Sequence, residues 1–164
     1  MALENLEIWE ATATPDAAMS IASVLQEAYA NDENGVQPRS TALDEKSWDI
    51  CCALGEKRYE ALLVFANAQP AATVRWQFEN DALYFSRLAV RPSFQRQGIA
   101  TLLLERLEEI AQQAGAARLT CMVRVEIEKN LNMYLRRGFM LVDEYSVCRD
   151  GTPVRTGHLE KRLA

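Results

Sequence analysis

RPSFQRQGIATLLLERLEEIA, residues Arg91 to Ala111, changes character at its middle. The first half is polar and punctuated: Pro92, Ser93, Gln95, Arg96, Gln97, Gly98. The second is apolar at helical spacing, through Ile99, Leu103, Leu107, Ile110, Ala111 and on to Ala114. ALYFSRLAV, just upstream, reads as a strand over 82–90. A strand therefore feeds a glycine-bearing turn, and the turn opens a long helix over 98–114. A helix N-terminus presents N–H groups that lack intrahelical partners and carries partial positive charge, which together suit phosphate oxygens. Gly98 lets a ligand approach the backbone, because no Cβ stands in the way. Ala100 is the next smallest residue, and Arg91 and Arg96 add cationic side chains at the mouth. The stretch lacks the GK[ST] of a P-loop and is not GxGxxG. A diphosphate carrying something other than a nucleoside triphosphate is the better ligand. A junction whose helix end is satisfied by a cap or by water would read the same way.

The flanking chain supplies the rest of the fold. Alternation in LEIWEA predicts a strand within 3–11. Thr14-Pro15-Asp16 starts a helix that turns Met19, Ile21, Val24, Leu25, Ala28 and Tyr29 towards a sheet. Residues 31–40 form a loop rich in turn formers, and 41–50 a second helical piece with Thr41 as its cap. Strands follow over 58–67, 70–78 and 82–90, joined at Asn67-Ala68-Gln69-Pro70 and Glu79-Asn80-Asp81. Gly115 stops the long helix; AARLTCMVRVE is a strand, EKNLNMYLRRGF a short helix ended by Gly138. Two final strands, FMLVDEYSV and VRTGHLEKRL, meet through Arg149 to Pro153. The order βααβββαβαββ, without repeat or linker, predicts one α/β domain over 1–164 on a mixed, mostly antiparallel sheet flanked by helices.

Composition narrows the function. The chain is 49% hydrophobic, ample for a core, and its net charge of −5 argues against non-specific nucleic-acid or membrane-surface binding. No apolar run reaches the ~18 residues of a membrane span, and the N-terminus has no signal-peptide pattern. Cys51, Cys52, Cys121 and Cys148 form no CxxC pair, and the single histidine, His158, reads as a strand residue, so no metal site is expected. The cysteines read as thiols of a reducing compartment, and a cytoplasmic location is expected.

Two segments carry a family likeness. QRQGIA, Gln95 to Ala100, matches the Q/R-x-x-G-x-G/A signature of the GNAT superfamily of N-acetyltransferases, and NLNMYLRRGF, Asn130 to Phe139, resembles its N-x-x-x-Y-x-x-x-G-F segment. The likeness spans the element order from about 6 to 163 and is strongest over 83–142. It implies that acetyl-CoA is the co-substrate and that its pyrophosphate lies on the backbone of Gln95, Arg96, Gln97, Gly98, Ile99, Ala100 and Thr101. It also implies that the strand ending in Leu88-Ala89-Val90 splays from the strand of 118–125. Main-chain groups of Leu88 and Val90 would then pair with the pantetheine amides, and a backbone N–H would polarise the acetyl carbonyl. Tyr134 occupies the position of the family's usual general acid. Asn130, one turn earlier, would meet the cofactor arm; a core aromatic and a helix-surface residue are the ordinary alternatives for the two.

The chain departs from the family pattern in two places. Ile127 stands where many members have an asparagine, and the strand LYFSRL lacks the glutamate that often serves as general base. Glu126 and Glu79 are the remaining candidates for a base, each also readable as a solvated carboxylate. The acceptor site is expected between 31–47, the strand tips and the 143–157 hairpin, with Arg75, Arg87 and Arg124 on strands that could form its floor. Two of these facing the cleft would favour an anionic group on the acceptor; the acidic net charge leans towards a cationic or neutral amine. The expected activity is direct acetyl transfer to a small-molecule primary amine. A protein N-terminus as acceptor, or a non-catalytic acyl-CoA-binding module, stand as alternatives. The apolar C-terminal strands offer a route to a homodimer.

Overall fold

The structure, a computed structural model, describes residue 3 and residues 5–32 and 38–164. The elements are β1 (Glu7–Glu10), α1 (Pro15–Asp32), a 3-10 turn (Thr41–Asp44), α2 (Ser47–Gly55), β2 (Glu60–Ala66), β3 (Gln69–Glu79), β4 (Ala82–Val90), a second 3-10 turn (Pro92–Phe94), α3 (Ile99–Gln113), β5 (Arg118–Arg124), α4 (Glu128–Arg136), β6 (Met140–Arg149) and β7 (Thr152–Arg162). The order is the expected one. All seven strands join one sheet, β1-β2-β3-β4-β5-β7-β6, in which only β4 and β5 run parallel.

The sheet buries both faces. On one, Leu83 and Phe85 of β4 and Leu119 and Cys121 of β5 pack against Ile99, Leu103, Leu104, Leu107 and Ala111 of α3 and against Tyr134 of α4. On the other, Ala61 and Leu63 of β2 and Ala89 of β4 meet α1 and α2 through Ile21, Val24, Leu25, Ile50 and Leu54. The period-2 alternation of the strands sends neighbouring residues to opposite layers. β1 and β6 are the two sheet edges, and β6 is exposed along most of its length.

Three local expectations change. Met19 points outward at 60% exposure, and Ala18 takes the buried position, three residues before Ile21. The segment 41–50 is not one helix: the 3-10 turn ends at Asp44 and α2 starts afresh at Ser47. Ser40, not Thr41, caps the 3-10 turn, accepting from the Ala42 N–H at 3.1 Å. Cys51 and Cys52 lie in α2, both half-buried. The part of the 31–40 loop over 33–37 lies outside the described residues.

Candidate active site

β4 and β5 stay in register only from Ala82–Arg118 to Tyr84–Thr120, then diverge. A bulge in β4 accompanies the divergence. Its pairing with β3 shifts from Thr73–Ala89 to Arg75–Ser86, and Arg87 sits there with φ of 54°. One extra residue bends the strand and re-aims its side chains. The V between the strands opens into a cleft of about 750 Å³. Leu88 and Val90 line it, as the expected splay requires, along with Asn130 and Tyr134 of α4 and Tyr145 and Arg149 of the β6–β7 hairpin.

The turn at the end of β4 forms one end of the cleft. Phe94 is buried and anchors it. The Gln95 side-chain amide donates to the Val90 carbonyl at 3.0 Å, tying the turn back onto the strand. Arg96 and Gly98 both have positive φ, 62° and 86°. A left-handed residue beside a right-handed one turns successive N–H groups to one side, the geometry of an anion nest, and Gly98 passes directly into the right-handed α3. α3 starts at Ile99, so the N–H groups of its first turn add to that side. A Cβ built on Gly98 would meet nothing within 4 Å, so the chain leaves open space over this glycine. Gln95, Arg96, Gly98, Ile99, Ala100 and Thr101 all line the cleft. Gln97 does not: it is exposed and donates to the Ser93 carbonyl at 3.4 Å.

Arg91 is not a mobile cation at the mouth. It donates to Glu27 of α1 through Nη2 at 2.5 Å and Nε at 2.8 Å, and to the Pro70 carbonyl at 3.1 Å. Its hydrogen bond holds the Glu27 carboxyl below the usual range. The cationic role at the turn falls to Arg96, and to Arg136 and Arg137 at the end of α4. Arg137 donates to Thr101 Oγ1 through Nε at 3.0 Å and Nη2 at 2.5 Å, and to the Met133 carbonyl at 3.1 Å. Arg137 follows Tyr134 by three residues, one helical turn, and that spacing could have marked it in the sequence.

Tyr134 is 7% exposed, wedged between Phe139 and Phe85 at ring-centroid distances of 5.4 and 6.0 Å. Burial raises its phenol well above the ordinary value; neighbouring Cys121 and Tyr29 add to the rise, and Arg137 opposes it. The group therefore keeps its proton at neutral and mildly alkaline pH. Burial likewise raises the Cys121 thiol. Tyr134 is both a core aromatic and a cleft residue, so the two readings of it are compatible. Of the apolar residues near it in the sequence, Ile127 and Leu131 are half-buried and Leu135 is 42% exposed.

The described charged residues of the cleft are basic. Arg87, Arg96, Arg124, Lys129, Arg136, Arg137 and Arg149 line it, and among the described residues no Asp, Glu or His does. Glu126 is exposed outside the cleft, and Glu79 accepts from the Gln77 side chain at 3.0 Å at the far end of β3; neither is placed to act as base. His158 lies in β7 and does not line the cleft. Arg75 and Arg87 share Glu45: Arg75 Nη1 lies 2.5 Å from Oε1 and Arg87 Nε 2.7 Å from Oε2. Arg87 also donates to Thr41 Oγ1 at 2.9 Å. Of the three strand arginines, Arg87 and Arg124 reach the cleft and Arg75 does not. No cue in the local sequence marks Glu45 as their partner.

Residues 22–139 match the family described as the acetyltransferase (GNAT) family. The chain belongs to this family. It is an N-acetyltransferase that uses acetyl-CoA as donor, as the two signatures led one to expect. It is similar to a [ribosomal protein bS18]-alanine N-acetyltransferase of Salmonella typhimurium, with 30% identity over 102 residues, covering 62% of this chain and 67% of that one. Among solved structures, PaiA N-acetyltransferase of Thermoplasma acidophilum in complex with coenzyme A matches with a TM-score of 0.80 at 16% identity, over 98% of this chain and 100% of the other. The ribosomal-protein-S18-alanine N-acetyltransferase of Escherichia coli matches with a TM-score of 0.75 at 19% identity, over 97% and 94%. At these identities the structural matches establish the GNAT fold.

Among the described residues no group of His, Cys, Asp and Glu could hold a metal ion, and no helix is long and apolar enough to cross a membrane.

Proposed function

We propose that this acetyltransferase moves the acetyl group directly to the primary amine of a small molecule, with Tyr134 as general acid. The observation that carries this reading is the continuity of one cleft from the Gly98 turn, past the β4–β5 splay, to Tyr134. The donor supplies an activated thioester at the splay. The N–H groups of the Gln95–Thr101 turn face its pyrophosphate, with the side chains of Arg96 and Arg137 adding positive charge; Gln97 contributes main chain only. Main-chain groups of Leu88 and Val90 align the pantetheine arm as an added strand, and Asn130 reaches it from α4. The open space over Gly98 and the cationic lining fit a diphosphate.

The amine nitrogen forms the new N–C bond as the C–S bond breaks. Tyr134 gives its proton to the departing sulfur, and the proton leaving the nitrogen passes to solvent and restores the phenol. Burial keeps the phenol protonated across the neutral range, so the proton is present when the sulfur departs. With no carboxylate lining the described cleft, deprotonation of the amine falls to water.

A protein N-terminus as acceptor is the competing reading, favoured by the similarity to the bS18-alanine enzyme. Thiol release, with the product identified by mass spectrometry, tests both: acetylation of free amines in preference to peptide N-termini is the expected result. Exclusive turnover of peptides supports the competing reading. Acetyl-CoA binding without transfer to any amine would leave a non-catalytic binding module.

A further inference from the structure

The sheet face opposite α3 has its own chemistry at the β4–β5 splay. Leu83, Phe85 and Cys121 pack on the α3 side, so strand alternation sends Tyr84 of β4 and Thr120 and Met122 of β5 to the opposite face. Tyr84–Thr120 is the last pair before the two strands diverge, and Met122 follows on the same face, where the V opens. Tyr145 of β6 reaches over that face and donates its hydroxyl to Met122 Sδ at 3.1 Å. Burial raises the Tyr84 phenol, and Glu79, Cys121 and Tyr145 add to the rise against the opposing Arg87, which puts Tyr145 in the neighbourhood of Tyr84. All three side chains line the cleft; Met122 is 49% exposed, Tyr145 is 37% exposed, and Tyr84 is half-buried. The buried cluster under α1 and α2 takes residues from β2 and β4 and, among the described residues, none from β5, β6 or β7. Two phenol rings and a thioether are thus open at the place where the second substrate of an acetyl transfer must arrive.

We propose that the acceptor is a primary amine that carries an aromatic ring, and that the ring lies on the shelf made by Tyr84, Met122 and Tyr145 with its nitrogen directed into the V. Aromatic rings gain from offset or edge contacts with one another, and a thioether packs well against a ring edge. Unbranched Met122 adapts its shape to the ring it meets. Covering the shelf also removes apolar surface from water, a gain that a short aliphatic amine does not supply. Tyr134 packs on the α3 side of the sheet, so the amine and the proton donor for sulfur come from opposite faces and do not compete for space. The proposal rests on the small-molecule reading above.

Four sets of acceptors test it with the whole enzyme at saturating acetyl-CoA: arylalkylamines such as 2-phenylethylamine and tyramine, the saturated analogue 2-cyclohexylethylamine, ethanolamine, and polyamines. We expect kcat/KM for the arylalkylamines to exceed that for ethanolamine and polyamines by about 10-fold or more, with the cyclohexyl amine in between. Met122→Ala and Tyr145→Ala should each raise the KM for 2-phenylethylamine by about 5- to 10-fold with a smaller change in kcat, and leave the Kd for acetyl-CoA within about twofold. Both side chains are exposed, so neither substitution hollows the core. Equal or faster turnover of ethanolamine, of polyamines or of the cyclohexyl amine would overturn the proposal, as would an aromatic preference that survives both substitutions. Turnover of peptide N-termini alone would instead sink the small-molecule reading on which it stands.

Discussion

Arg137, just past α4, donates two hydrogen bonds to the hydroxyl of Thr101 in the first turn of α3, at 3.0 and 2.5 Å. The contact joins the helix that carries Tyr134 to the helix that opens at the anion nest. It holds two ends of one cleft at a fixed spacing, and it puts a guanidinium beside N–H groups that already favour an anion.

Removing that guanidinium should therefore cost donor affinity. Arg137→Ala is expected to raise the Kd for acetyl-CoA roughly 10-fold, the order of one charge-assisted hydrogen bond. Thr101→Val removes only the acceptor oxygen and should lower stability by about 1 kcal/mol. Calorimetric titration reads the first and urea unfolding the second.

Tyr134→Phe separates chemistry from packing. The ring contacts with Phe85 and Phe139 are retained, so folding and acetyl-CoA affinity should hold. If Tyr134 protonates the departing thiolate, kcat falls about 100-fold or more. A shifted pH profile at unchanged kcat would make the phenol a minor contributor.

The raised phenol of Tyr134 also predicts an alkaline signature. Its folded-state value lies above that of the unfolded chain, so folding favours the protonated form. That contribution is complete below about pH 10, the free phenol value, and is lost as pH rises through the folded value. Stability measured by urea should fall above about pH 10, and the fall should be shallower in Tyr134→Phe. The acid form of Tyr134 persists throughout the neutral range, so any loss of activity below about pH 9 belongs to another group.

Glu45 holds two guanidinium groups at once, with side-chain exposures of 18% for Glu45 and Arg75 and 24% for Arg87. Glu45→Gln leaves both cations poorly compensated and should destabilise the fold by about 2–3 kcal/mol, below the ~3–5 of a fully buried pair because water still reaches the site. Arg87, released from Glu45, should also alter the acceptor KM.

The legible part of this protein was its local pattern. The strand–turn–helix of Ala82 to Gln113 could be read because alternation, a positive-φ glycine and a 3.6-residue stripe are neighbours in sequence. The phase of α1 was also recoverable: Ile21, Val24, Leu25 and Ala28 place Ala18, and not Met19, on the buried face. The β4 bulge was not recoverable, since LYFSRLAV alternates no differently where Arg87 departs from the ladder. The pairings of Arg91 with Glu27 and of Arg87 with Glu45 join residues far apart in the chain, and composition gives no register for them. Which of the described arginines reach the cleft follows from those pairings and from the sheet order, so it too waited for the fold.

The central claim is that the backbone at Gly98 receives the donor's pyrophosphate. Calorimetric titration of acetyl-CoA into the wild type and into Gly98→Asp tests it most directly, with folding checked by circular dichroism. A Cβ at Gly98 has room, so the side chain does not clash with the protein, although φ of 86° adds about 1 kcal/mol of strain. The account predicts tight binding to the wild type and its loss in a folded Gly98→Asp, whose carboxylate would occupy the anion's place. Undiminished binding to the folded variant would contradict it.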